Sequence, residues 1–481
     1  MQRNEPWREE LRKSMKAKER TDIPRVKMQE LDAAYRCQNH EEVNLGLTAE
    51  QAVQEAKRCV DCVNPTCIEG CPVGIDIPTF IKNIERGAFL EAAKTLKTYS
   101  ALPAVCGRVC PQEKQCEAKC FYTQKLKKDA VAIGYLERFA ADYEQQSGEI
   151  SVPDIAEKKA VKIAVVGSGP AGLSFAGDMA KYGYDVTVFE ALHQIGGVLK
   201  YGIPEFRLPN SIVDVEIESL RKMGVQFVDN CIIGKTISID DLKAEGYQAI
   251  FVGSGAGLPR FMNIAGENLI GVMSSNEYLT RVNLMYAADA EYDTPVLRGK
   301  NVAVIGGGNT AMDSVRTAKR LGAERAMIVY RRSEEEMPAR VEEVHHAKEE
   351  GIEFLTLHNP IEYYGDEKGR VTSMLLQKME LGEPDASGRR SPVEIPNATE
   401  KIDVDVVIVS VGVSPNPLIP SSVQGLEISK WGTIIVNDDT MQSAIPTIFA
   451  GGDIVRGGAT VILAMGDGRK AAKAMDEYLG S

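Results

Sequence analysis

Ten cysteines stand in the 481-residue chain, and eight of them fall in two short runs. The first, CVDCVNPTCIEGCP, sets Cys59, Cys62, Cys67 and Cys71 ahead of Pro72. The second, CGRVCPQEKQCEAKC, sets out Cys106, Cys110, Cys116 and Cys120, with Pro111 behind Cys110. Thiolates are soft ligands, suited to zinc and to iron–sulfur clusters alike. Zinc ribbons usually pair two short C-x-x-C knuckles, and these runs are longer and less regular.

The first run is similar to a ferredoxin run, ending in Cys-Pro with a slightly longer gap in the middle. In two-cluster ferredoxins three close cysteines wrap one cluster and the fourth serves the other. The same logic gives Cys59, Cys62 and Cys67 to one [4Fe–4S] cluster, with its fourth ligand from the second run. Cys71 then joins the other cluster, with further ligands from the second run. Zinc and redox-active thiols are the alternatives. Cys37 and Cys231 lie outside the runs and need no function.

Two glycine loops carry the remaining chemistry. In VVGSGPAGLSFAGDMAKYGYDVTVFE, Gly167, Gly169 and Gly172 follow an apolar strand and, with Pro170 and Ala171, open a helix. Backbone N–H groups at that helix start can cradle a pyrophosphate. Glu190 ends the next strand, where an acid binds ribose hydroxyls. In VAVIGGGNTAMDSVRTAKRLGAERAMIVYRR, Gly306, Gly308 and Ala311 take the same places, with Asn309 and Thr310 between them. Here the strand ends in Arg331 and Arg332 instead of an acid. Guanidinium forks suit a 2′-phosphate, so the second loop calls for NADP(H). The first then calls for FAD. TIFAGGDI adds Gly452 and Asp453 at a strand end, and the helix after Ala459 and Thr460 would aim its N-terminus at the same ligand. The loop GGVLKYGIPEFRLP would cross it, with Gly197, Leu199 and Arg207 as candidate contacts.

Placing these residues requires several domains, as the length suggests. The expectation is α/β. A helical iron–sulfur domain over residues 1–150 precedes two Rossmann-like domains. The nucleotide domain of the second loop (281–409) is inserted into that of the first (160–280 and 410–481). Residues 144–160 read as a linker, and 352–397 as β-hairpins around GDEKG and ASGRR. The hydrophobic fraction of 44% is ordinary, and the net charge of −12 argues against nucleic acid as a partner. No apolar run is long enough to span a membrane, and no secretory signal opens the chain. A cytoplasmic location is expected, where clustered cysteines favour metal over disulfides.

Taken together, CGRVCPQEKQCE, GGVLKYGIPEFRLP, GGGNTAMD, YRRSEEEMPAR and AGGDIVRGGATVILAMGDGRKAA resemble the small (β) subunit family of NADPH-dependent glutamate synthase. Its relatives include the large subunit of NADH-dependent ferredoxin:NADP oxidoreductase, a sulfide dehydrogenase subunit and the N-terminal half of dihydropyrimidine dehydrogenase. The resemblance runs from about residue 20 to the end. It implies two [4Fe–4S] clusters, FAD and NADP(H), and no catalytic acid or base. It also implies a ligand set: Cys59, Cys62, Cys67 and Cys120 for one cluster, and Cys71, Cys110 and Cys116 for the other. The last place falls to Glu137 or to Cys106, with Glu137 favoured. The implied partner is a second redox subunit, either a glutamate synthase large subunit or a small flavin/[2Fe–2S] protein, with ferredoxin as a further acceptor. A non-catalytic scaffold with structural clusters is the competing expectation, against which the intact glycines of both loops speak.

Overall fold

The computed structural model describes residues 3–480. Short helices dominate up to Ser147. Helix Ala49–Lys57 starts at a capping box. The Thr48 hydroxyl accepts from the Gln51 N–H, and the Gln51 side chain accepts in return from the Thr48 N–H. Helix Ile77–Glu85 has Pro78 in its first turn and is buried along its whole length. Helices Phe89–Tyr99, Pro103–Val109 and Ile133–Ser147 complete the domain. The last of these extends into the stretch expected to be linker and stops at Gly148, whose φ of +74° is the left-handed cap glycine tolerates.

Two five-stranded parallel sheets follow. The first runs in the order Ile448–Ala450, Tyr247–Val252, Lys162–Val166, Asp185–Phe189, Gln226–Val228. The second runs Glu353–Thr356, Arg325–Tyr330, Asn301–Ile305, Val406–Val409, Val272–Ser274. KIAVV and NVAVI sit at the centre of their sheets. Four of five residues in each are buried, which is why both read as unbroken apolar runs. The antiparallel strands His358–Gly365, Val371–Pro384 and Arg390–Asp403 form a third sheet, so the expected hairpins are one meander.

The chain leaves the first sheet after Val252 and re-enters it at Ile448. Leu258–Pro259 and Val413–Ser414 pair antiparallel on the way out and back. The second domain is thus inserted between neighbouring strands of the first. The expected boundary at residue 281 is corrected: Val272–Ser274 is already an edge strand of the second sheet. Among the described residues, no helix is long and apolar enough to cross a membrane.

Candidate functional site

The eight clustered cysteines fall into two adjoining neighbourhoods, with Cys67 of the first also acting on Cys116 of the second. Cys59, Cys62, Cys67 and Cys120 act on one another electrostatically. Burial and then these neighbours push the Cys62 thiol up to about 11 and Cys67 higher still. Cys71, Cys110 and Cys116 share a different neighbour, Glu137. Burial pushes Cys71 up to about 11 and raises Cys116 well above its ordinary value. Thiols held this close resist ionisation unless a cation joins them, and a soft metal supplies that charge.

Glu137 lies on helix Ile133–Ser147 and is only 6% exposed, and its Oε1 has no hydrogen-bond partner. Burial, then Glu216, pushes its carboxyl up to about 8. A buried, unpartnered oxygen that acts on Cys71, Cys110, Cys116 and also Cys106 has the chemistry of a ligand set. Cys106 is fully buried beside the same group. Its thiol hydrogen-bonds that of Cys110 and faces the Met465 sulfur at 3.5 Å.

A cavity of about 1050 Å³ occupies the space between the two nucleotide domains. Gly167, Gly169, Pro170, Ala171 and Glu190 line it from the first loop. Gly197 and Arg207 come from the crossing loop, and Gly452, Asp453, Ala459 and Thr460 from the end of the first sheet. Burial pushes the Asp453 carboxyl up to about 6. Two contacts expected of the first nucleotide site are absent from the wall. Leu199 is fully buried in the core, because its short helix turns it away from the cavity. Gly172 serves packing: a Cβ there would stand 2.0 Å from the Gly167 carbonyl oxygen.

The second loop reaches the same cavity through Asn309 and Thr310. Gly306, Gly308 and Ala311 do not line it. Gly306 has φ of +142° and passes close to the Ser410 carbonyl, while Ala311 is fully buried under its helix. Arg331 is exposed. Arg332 is 6% exposed and committed elsewhere, donating to Asp385 at 2.6 Å and to the Arg390 carbonyl at 2.8 Å.

Several groups escaped the sequence reading. The Ser168 N–H and hydroxyl both donate to Glu190, and the Leu192 N–H donates to its other oxygen at 2.9 Å. Asp313, one helical turn beyond Asn309, lines the cavity and accepts two bonds from Arg207 at 2.7 and 2.8 Å. Burial pushes Asp313 up to about 6 even with Arg207 opposing. Arg340 links the second loop to the cysteines: its N–H donates to Asn309 Oδ1, and its guanidinium to the Arg108 carbonyl and Gln112 Oε1. Val109, next to Cys110, lines the cavity. The spacing Asn309–Asp313 on one helix face was the only signal in the sequence for any of these.

Two family models match, the dihydropyrimidine dehydrogenase domain II 4Fe–4S cluster over residues 36–149 and the pyridine nucleotide-disulphide oxidoreductase over 161–468. The glutamate synthase [NADPH] small chain of Azospirillum brasilense is 35% identical over 93% of this chain and 93% of its own length. That of Escherichia coli is 36% identical over 89% of this chain and 92% of its own. The chain belongs to the glutamate synthase small-chain family. As a member of that family it is an oxidoreductase and an electron-transfer subunit type, with a 4Fe–4S domain ahead of a pyridine-nucleotide domain. FprA of Mycobacterium tuberculosis, solved in complex with NADPH, has a TM-score of 0.56 at 21% identity, over 67% of this chain and 85% of that one. That likeness concerns the fold of the two nucleotide domains.

Proposed function

We propose that this small-chain family member passes electrons between NADPH and a partner redox subunit, by way of FAD and two [4Fe–4S] clusters. The observation that carries the reading is one cavity reached by both glycine loops, with Val109, the residue before Cys110, in its wall. When bound, the cofactors supply hydride transfer between nicotinamide and flavin and one-electron steps through the clusters.

The chain's own residues bind and orient. Cys59, Cys62, Cys67 and Cys120 would hold one cluster, and Cys71, Cys110, Cys116 and Glu137 the other. Gly167, Gly169 and the start of helix Pro170–Lys181 would take the FAD pyrophosphate. Glu190, fixed by Ser168 and Leu192, would accept from the ribose hydroxyls. Asn309 and Thr310 would approach the phosphates of NADPH, with Arg331 left unpaired for the 2′-phosphate. Arg207 and Asp313 would set the two nucleotide domains at a fixed separation across the cavity.

Relatives named small chain or subunit beta support a second subunit as the electron partner. A glutamate synthase large subunit and a small flavin/[2Fe–2S] subunit are the two classes, and the reducing cytoplasm is the setting both need. Anaerobic titration with NADPH tests the reading. The expected result is loss of flavin absorbance followed by a reduced-cluster EPR signal, with about eight iron atoms per chain. Flavin that NADPH leaves oxidised, or zinc in place of iron, would overturn it.

A further inference from the structure

We infer that Glu30, Glu342 and His346 form a divalent-cation site, of the zinc type, that fastens the cysteine domain to the second nucleotide domain. One donor atom from each lies within 4.8 Å of the other two. Glu342 and His346 stand four residues apart on helix Val341–Glu349, one turn above each other on the same face. Glu30 comes from the other domain, on the short strand Gln29–Glu30 that pairs with Asn44–Gly46.

His346 is the informative member. It is 1% exposed, and its Nε2 is buried without an aligned hydrogen bond. That nitrogen faces the Glu30 Oε2 at 3.1 Å. A buried imidazole nitrogen that faces one carboxylate, with a second within 4.8 Å, is placed as a metal ligand would be. One imidazole and two carboxylates offer the nitrogen and oxygen donors zinc accepts, with room for water as a fourth ligand.

Arg36 donates to Glu30 at 3.3 Å, and Arg340 to Glu342 at 2.8 Å. Such donors orient ligating carboxylates. Neither arginine cancels the local charge, because each also binds other acids. The site lies outside the large cavity, so its role is to join domains. The cation would add three directed bonds to a contact already held by Arg36 on Glu349 and Glu350 and by Asn44 on Glu342.

The test uses cluster-loaded protein washed anaerobically with a chelator that leaves its iron in place, then titrated with Zn²⁺ alone. One zinc per chain should bind, and its K-edge absorption should show only nitrogen and oxygen neighbours near 2.0–2.1 Å. His346→Gln and Glu342→Gln should each weaken that binding by about tenfold or more while iron content stays unchanged. Sulfur neighbours near 2.3 Å would mean zinc on the cysteines, and would overturn the proposal. So would zinc binding unchanged in His346→Gln, or absent from the wild-type chain. If one variant fails to fold, Glu30→Gln, on the opposite side of the contact, gives the same reading.

Discussion

Strand Lys162–Val166 feeds a glycine loop into helix Pro170–Lys181, and strand Asn301–Ile305 feeds another into Asn309–Arg320. The two turns share a plan and differ at two places. The first ends its plan in a carboxylate that Ser168 and Leu192 already hold, while the second ends in one exposed arginine and one locked to Asp385. The first closes on Gly172, where no Cβ fits; the second closes on Ala311, whose methyl is accommodated. The backbone plan therefore makes a place for a dinucleotide, and the flanking side chains decide which one.

Breaking the tightest contact should have the largest effect. Gly172→Val forces helix Pro170–Lys181 off its strand, and the purified protein should carry no flavin. Ala311→Gly opens no clash and should cost only about 1 kcal/mol of helix stability in denaturant titrations. Equal damage from both would show that the two turns pack alike. Next in size, Glu137→Ala should remove or alter one of two cluster EPR signals and leave nucleotide affinity at the second loop intact. Cys106→Ser should spare both signals, and the reverse pattern would move the ligand role to Cys106.

Arg331→Ala should weaken NADPH binding by about ten- to a hundredfold, the range for a lost charge-assisted hydrogen bond, without weakening NADH. Arg332→Ala should disturb the neighbouring hairpin more than affinity. If calorimetry finds Arg332 the more important for NADPH, the charge contrast is misassigned. The smallest effect concerns pH. Asp313 titrates near 6 in the folded chain, above its ordinary value, so the folded state binds the extra proton between about pH 4 and 6. Its contribution to stability is full below that window and falls as pH rises through it. Asp313→Asn should flatten that part of the stability–pH curve.

Sequence revealed what is local and repetitive. KIAVV and NVAVI are buried on both faces, so their composition alone marks them, and the cysteine runs group by spacing. It did not reveal contacts made across the chain. Val272–Ser274 is three residues long and carries no period, so the domain boundary was placed too late. Leu199 looked like a cofactor contact because it stands among glycines, yet a single helical turn sends it into the core. Arg332 looked free because its partner, Asp385, arrives on the turn of a distant hairpin. The Arg207–Asp313 pair joins two domains, and nothing in either segment marks the two residues as partners.

The insertion itself has a consequence for how the chain finds its fold. Strand Ile448–Ala450 must pair with Tyr247–Val252, although a whole domain separates them in sequence. Closing a loop costs entropy that grows only with the logarithm of its length, about 0.6 kcal/mol for each doubling. The pairing of Leu258–Pro259 with Val413–Ser414 shortens the problem further. Once these two short segments meet, the inserted domain is a closed loop, and the first sheet needs to close only the short connections on either side.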